Sequence, residues 1–379
     1  MLAGNSLMRR SIVPFIDLSL QHRALRAELK NAIDEVMRSQ QFVLHDKGRQ
    51  LESEICAKIG TRFAVGVASG SDALYLALTG LGVGHDDEVI TTPFTFFATA
   101  GSISRTGAKP VFVDVDKNTF NIDPSKIEGA ITKKTKAIIP VHLFGLPCDM
   151  PVIRKIASKH SLFVIEDAAQ SFGAKWNGKE TGSMGDAGCL SFFPTKNLGG
   201  AGDGGMVVTS SEKLADTVRT LRPHGSRKKY HHEMVGINSR LDEIQAAVLL
   251  VKLKYIDRWN GLRQKHAALY DRGLAGLPVT TPACPKGATH IYHLYSVLTP
   301  ERVRLAAFLK QRQIGSGVYY PLPLHLQPCY KQLGYHAGDL PVSERLSREV
   351  LSLPMYPELS SGAITKVIKT VKDFFAGAR

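Results

Sequence analysis

The chain has 379 residues, 44% hydrophobic and 22% charged, with 34 glycines and 19 prolines. That is an ordinary globular composition with material for about two domains at roughly 150 residues each. Its five cysteines (Cys56, Cys148, Cys189, Cys284, Cys329) are odd in number and show no C-x-x-C spacing, which excludes a disulfide scaffold and a zinc ribbon. Basic residues outnumber acidic ones by 48 to 34, a formal charge of +14, so the partners to weigh are polyanions: nucleic acid, an acidic membrane or a phosphate-bearing small molecule.

Residues 1–13 read as an N-terminal arm, with Met8 as an alternative start. Residues 1–10 lack the roughly 7 to 15 residue apolar run of a secretory signal, so a cytoplasmic protein is expected. The longest apolar runs, 73–78 and 246–251, fall far short of the roughly 20 residues that cross a bilayer. Short β-rich runs at 63–68, 88–91, 110–115, 137–141, 162–165, 189–193 and 206–209 alternate with helical stretches. That alternation predicts an α/β domain with a largely parallel sheet, buried on both faces where a strand is apolar throughout, as at Phe163-Val164-Ile165. Ligands collect at the carboxyl ends of such strands.

Three strand ends carry chemistry. Ser69-Gly70-Ser71-Asp72 lies between a strand and a helix, so its amides and the Ser71 hydroxyl suit a phosphate as well as they suit an ordinary helix cap. Glu166-Asp167 ends the run at 162–165, where a buried carboxylate requires a partner. Ser191-Phe192-Phe193-Pro194-Thr195-Lys196 then brings a lysine to a third strand end, and such an amine becomes a nucleophile once desolvated.

Two glycine patterns are decoys. Gly173 to Lys179 spells G-x-x-x-x-G-K but continues with Glu180 where a P-loop needs Ser or Thr; a turn at Asn177-Gly178 accounts for it better. Gly200 to Gly205 spells G-x-G-x-x-G but precedes a strand rather than opening a helix. The basic stretch containing Arg219, Arg222, Arg227, Lys228, Lys229 and His231 reads either as a contact for a phosphate-bearing small substrate or as a solvated loop. Histidine supplies no metal motif, because neither His231-His232-Glu233 nor His290 with His293 has H-E-x-x-H spacing.

Apolar residues at Leu241, Ile244, Val248, Val251, Tyr255, Trp259 and Leu262 predict one long amphipathic helix leading into a second domain. A strand at 291–298, a helix at 302–312 and a proline-rich loop at 319–328 follow.

An anion site, a strand-end aspartate and a strand-end lysine, in that order, are what pyridoxal 5′-phosphate requires. With Gly70-Ser71-Asp72-Ala73-Leu74, Pro93-Phe94-Thr95-Phe96, Glu166-Asp167-Ala168-Ala169-Gln170-Ser171, Ser191 to Lys196 and Gly236-Ile237-Asn238-Ser239-Arg240-Leu241-Asp242, the chain resembles the nucleotide-sugar aminotransferases of the DegT and StrS group, which are fold type I pyridoxal phosphate enzymes. The resemblance implies a large cofactor domain (14–252) with a mostly parallel sheet flanked by helices, and a smaller C-terminal α+β domain (253–379). It implies that Lys196 forms the Schiff base, Asp167 pairs with the pyridine nitrogen, Gln170 reaches the ring hydroxyl and Phe96 stacks on the ring. Gly70, Ser71 and Ser191 would hold the phosphate. Asn238 would reach the phosphate of a neighbouring subunit in a homodimer with shared sites. Arg240, Tyr319, Tyr320 and His325 are the substrate-contact candidates, although many members have His-Tyr where this chain has Tyr319-Tyr320.

The implied reaction is transamination from glutamate to a nucleotide-diphosphate keto sugar, with no nucleic-acid or membrane partner and no metal. The stretch from Tyr320 to Gln327 resembles members acting on 3-keto sugars. The alternatives are a 4-keto sugar aminotransferase and a DNA-binding regulator that keeps the fold.

Overall fold

A computed structural model describes residues 12–377. Its strands are β1 (Phe63–Val67), β2 (Glu88–Thr91), β3 (Lys109–Phe112), β4 (Thr135–Ile138), β5 (Phe163–Asp167), β6 (Lys175–Trp176), β7 (Lys179–Glu180), β8 (Ala187–Ser191), β9 (Gly205–Thr209), β10 (Ser226–Lys228), β11 (His231–His232), β12 (Ala288–Thr289), β13 (Tyr295–Leu298) and β14 (Val350–Leu353). The α-helices are α1 (Ser19–Ser39), α2 (Asp46–Ile59), α3 (Gly70–Gly80), α4 (Ala98–Arg105), α5 (Met150–Lys159), α6 (Glu212–Leu221), α7 (Glu243–Leu253), α8 (Ile256–Leu274), α9 (Arg302–Gln311), α10 (Pro341–Glu349) and α11 (Ser361–Gly377).

Seven strands form one sheet in the order β1-β9-β8-β5-β4-β2-β3, and β9 alone runs antiparallel to its neighbours. Alternation along the strands sorts side chains to two faces. Val65, Val67, Ile165 and Val207 pack with α3 and α6, whereas Ala64, Leu190, Met206 and Val208 pack with α1, α2 and α7. The sheet is thus the buried middle layer of an α/β fold.

Both sheet edges are closed by side chains. At β1, the outward Gly66 N–H donates to Glu52 Oε1 at 2.8 Å, the Gly66 carbonyl accepts from Arg222 Nη1 at 2.7 Å, and Arg222 pairs with Glu52 at 2.8 Å. At β3, the Phe112 N–H donates to the Tyr335 hydroxyl at 2.9 Å.

A second cluster forms where antiparallel β13 and β14 pack with α8, α9 and α11, through Tyr270, Tyr295, Leu305, Leu351 and Val367. Val13, at the end of the expected arm, is buried in this cluster and bridges Ile314; residues 1–11, including Met8, lie outside the described residues. The long helix predicted over 241–262 is in fact α7 and α8, broken at Lys254 and Tyr255. Tyr255 is held aside by its hydroxyl, which donates to Glu28 at 2.5 Å, and by stacking on Trp259. No glycine or proline marks the break, so periodicity ran through it. The strand predicted at 291–298 shortens to β13, because Tyr292 turns to φ 48°.

The Asn177-Gly178 turn joins β6 to β7 with positive φ at both residues, the geometry of a type I′ hairpin. Among the described residues no helix is long and apolar enough to cross a membrane.

Candidate functional site

The carboxyl ends of β1, β2, β5 and β8 and the segments leaving them carry Gly70, Ser71, Phe96, Asp167, Gln170, Ser191 and Lys196. Asp167 closes β5 at 6% exposure. Its Oδ2 accepts from Thr99 Oγ1 at 2.7 Å and its Oδ1 from the Ala169 N–H at 3.2 Å. Among the described residues no cation forms an ion pair with it. Burial raises its pKa, against the pull of Thr99, Ala169 and the charge of Lys196. A buried carboxylate in this state has room for one more partner, and that partner should be cationic.

Glu166 beside it is a different object. Fully buried, it takes His142 Nε2 at 2.8 Å and the amides of Gly182, Met184 and Gly185 at 2.6 to 2.8 Å. His142 Nδ1 accepts from the Cys148 N–H at 3.0 Å, so Nε2 carries the proton toward Glu166. Glu166 is the structural member of the pair.

Lys196 lies past β8 on a loop pinned by its own N–H to the Phe193 carbonyl at 2.8 Å. Desolvation lowers its amine to about 8, with Asp167 pulling the other way, so a substantial neutral fraction exists near pH 7.5.

The phosphate candidates also converge. Ser69 caps α3 by accepting from the Asp72 N–H at 3.1 Å, leaving Gly70 and Ser71 as first-turn amides with no carbonyl before them. A Cβ on Gly70 would stand 2.7 Å from Ser191 Cβ, and one on Gly205 would stand 2.3 Å from the Ser69 carbonyl carbon. Glycines at both points let β8 and β9 approach the start of α3 closely, where free first-turn amides suit an anion.

Gln170 is buried, its Oε1 accepting from the Phe144 N–H at 2.8 Å and its Nε2 donating to the Tyr320 hydroxyl at 3.0 Å. Phe96 is 57% exposed, 6.2 Å from the Tyr320 ring, so core packing does not account for it. Tyr319 is half-buried and stacks on Phe15. Asn238 is exposed, while its neighbour Ser239 bonds the Ala68 N–H and Asp72 of the same chain. Arg240 is half-buried.

His325 is 1% exposed; its Nε2 lies 3.2 Å from Glu344, its ring sits edge-on to Tyr335, and among the described residues its Nδ1 has no hydrogen-bond partner.

Sequence reasoning missed Thr99. Its signal was the Thr95, Thr99 spacing of four at the start of α4, where the two hydroxyls meet at 3.1 Å and one continues to Asp167. The basic stretch divides: Arg219 lies on α6, Arg222 is held by Glu52, and the remainder forms the exposed β10–β11 hairpin, in which Arg227 pairs with Asp216 and Glu233 while Lys228, Lys229 and Tyr230 stand in solvent.

Comparison with known proteins finds relatives over nearly the whole chain. The profile of the DegT/DnrJ/EryC1/StrS aminotransferase family matches residues 23–372. A "Pleiotropic regulatory protein" from Geobacillus stearothermophilus is 53% identical, over 96% of this chain and 98% of that protein. The UDP-N-acetyl-3-dehydro-alpha-D-glucosamine 3-aminotransferase of Acidithiobacillus ferrooxidans is 44% identical, over 97% and 100%. Among solved structures, S. venezuelae DesV in complex with a ketimine intermediate superposes with a TM-score of 0.94 at 44% identity, over 96% of this chain and 98% of that one. The Bacillus subtilis NtdA structure with bound cofactor PMP superposes at 0.90 with 31% identity, over 97% and 86%.

Proposed function

The chain belongs to the DegT/DnrJ/EryC1/StrS aminotransferase family, and on that premise we propose that it transfers an amino group from glutamate to the C3 keto group of a nucleotide-diphosphate sugar, using pyridoxal 5′-phosphate. The observation that carries this reading is the buried, ion-pair-free Asp167 facing a lysine whose amine is lowered to about 8, beside the phosphate candidates Gly70, Ser71 and Ser191. These residues fit the cofactor: a carboxylate for its ring nitrogen, an amine for its aldehyde and helix-start amides for its phosphate.

Bound there, the cofactor would supply an electron sink for the pair released when the donor's Cα–H bond breaks. The protein does the rest. Asp167 would hold positive charge on the ring nitrogen, and Thr99 favours the ionised carboxylate by donating to Oδ2. Lys196 Nζ, lowered to about 8 by desolvation, would be the base that holds the proton leaving the donor's Cα. Gln170, fixed by Phe144 and Tyr320, would orient the ring's edge. Phe96 would cover a ring face and limit water.

The exposed cations of the β10–β11 hairpin suit the sugar's diphosphate. We place the working site at a homodimer interface, with Asn238 of one protomer reaching the other's phosphate. The relatives' printed substrates favour a 3-keto sugar. The regulatory alternative rests on overall charge and on the names of two relatives, whereas DNA binding would give Lys196 and Asp167 no task. The test is a panel of nucleotide 3-keto and 4-keto sugars with glutamate, read by mass. Amino-sugar product from 3-keto substrates is expected, and no product from any keto sugar would overturn the proposal.

A further inference from the structure

A directed chain of buried side chains links the two loops that bear Asp167 and Lys196, and the reaction above gives it no task. His293, just before β13, places Nδ1 3.1 Å from Asn197 Oδ1. An amide oxygen only accepts, so His293 Nδ1 is the donor. Asn197 Nδ2 in turn donates to Asn260 Oδ1 at 2.7 Å and to the Ile291 carbonyl at 3.4 Å. Asn260, on α8, then donates through Nδ2 to the Phe172 carbonyl at 3.0 Å. Each amide's orientation is set by the next, and the chain runs one way from His293 through Asn197 and Asn260 to Phe172.

Its two ends decide its meaning. Asn197 is covalently next to Lys196, and Phe172 lies two residues past Gln170 on the loop that leaves Asp167. The three side chains are 6 to 7% exposed. Apolar residues of similar size would fill this volume without the desolvation cost of buried amides. What hydrogen bonds add is a fixed spacing. We infer that this chain sets the position of Lys196 relative to the Asp167–Gln170 loop, with His293 as the positioning residue at its head, acting through Asn197.

The surroundings suit that task. Arg263 Nη1, on α8, donates to the His293 carbonyl at 3.2 Å and to the Met355 carbonyl at 3.0 Å, tying the head of the chain to α8 and to the segment after β14. Burial together with the charges of Lys196 and Arg263 keeps His293 neutral, so it positions Lys196 without adding a third cation. The charged group that opposes desolvation at Lys196 is Asp167. Loosening the chain would let the Lys196 loop move into water and return its amine toward the ordinary lysine value.

The inference rests on Lys196 being the amine that meets the cofactor, and the experiment separates the two claims. Apo-protein is mixed with pyridoxal 5′-phosphate across a pH series, and growth of the visible band is followed without any substrate. Wild type should show a midpoint near pH 8, and Lys196→Ala should show no band; a band in that variant, or none in wild type, overturns the role of Lys196 and this inference with it. Given the expected controls, His293→Leu should move the midpoint up by about one unit and slow band growth at pH 7.5 by about eightfold, the change in neutral amine that such a displacement gives. His293→Gln, which keeps a donor for Asn197, should come back to within about twofold of wild type, since one donor replaces another. Asn260→Ala, at the other end, should reproduce the leucine result, and it stands in for His293→Leu should that variant fail to fold by circular dichroism. An unmoved midpoint in the folded variants, or a glutamine variant as slow as the leucine one, would reduce the chain to packing and overturn the inference.

Discussion

Thr99 donates its hydroxyl proton to Asp167 Oδ2 at 2.7 Å, occupying the side of the carboxylate that a structural cation would otherwise hold. The hydroxyl favours the ionised form without neutralising it, so the charge remains available to a cationic ring.

Removing that donor has a predictable sign. In Thr99→Val the burial that already raises Asp167 loses its main opposition, so the pKa rises further. The acid limb of kcat/KM should move to higher pH by about one unit, equivalent to about 1.4 kcal/mol, with activity above the displaced limb close to wild type. A pH–rate profile that overlays wild type would show that Thr99 does not control the carboxylate.

Asp167 and Glu166 predict opposite behaviour in the cofactor-free protein. Because the folded-state pKa of Asp167 is raised, the fold binds its proton more tightly than the unfolded chain does. Stability therefore falls as pH climbs from the unfolded value of 3.8 through the raised one, and the cost is fully present above that raised value. Asp167→Asn should melt no lower than wild type when apo, yet transaminate at least about a hundredfold slower, a loss of about 2.7 kcal/mol of transition-state stabilisation. Glu166→Gln should lose about 2–3 kcal/mol of stability, because an amide nitrogen would face donors that now meet a carboxylate. Thermal melts of both apo variants, with turnover of the loaded Asp167→Asn protein, check the contrast.

Two lysines have amines lowered to about 8, Lys196 and Lys252, so a depressed pKa alone does not select the nucleophile. Lys252 is 1% exposed and spends its ammonium on the Gly199 carbonyl at 2.7 Å. Borohydride reduction of the cofactor-loaded protein followed by peptide mapping should place the label on Lys196 and leave Lys252 unmodified. Label on Lys252 would reassign the reactive amine.

The shared site can be tested by complementation. Asn238→Asp should abolish activity by setting a carboxylate against the cofactor phosphate, and Lys196→Ala should abolish it chemically. If Asn238 serves the opposite protomer, a mixed dimer holds one site with both defects and one with neither. Co-refolding the two inactive proteins should then recover about a quarter of wild-type activity under random pairing. No recovery from mixed dimers that bind cofactor would mean that Asn238 serves its own chain, beside Ser239.

The strand alternation, the two glycine decoys and the strand ends carrying Asp167 and Lys196 were legible in the sequence, because each rests on local pattern or backbone chemistry. What escaped depends on contacts between distant segments. Thr99 reads as an ordinary helix residue until β5 is placed beside α4. His293 and Asn260 look like a polar residue in a strand and another in a helix. Nothing local to His325 shows that Glu344 packs against its ring nitrogen. The break between α7 and α8 follows from Tyr255 reaching Glu28, a partner 227 residues away.

The closed edges of the sheet carry a consequence of their own. Gly66 offers one donor and one acceptor outward, and a single ion pair, Glu52 with Arg222, satisfies both. An unsatisfied outer rung on a hydrophobic sheet is a template on which another chain's strand can grow. Loss of Arg222 would therefore threaten the protein in a crowded cell before it threatened the fold, by converting well-folded molecules into seeds that recruit one another. The hazard would show as turbidity rising with protein concentration at temperatures where the secondary structure is still intact.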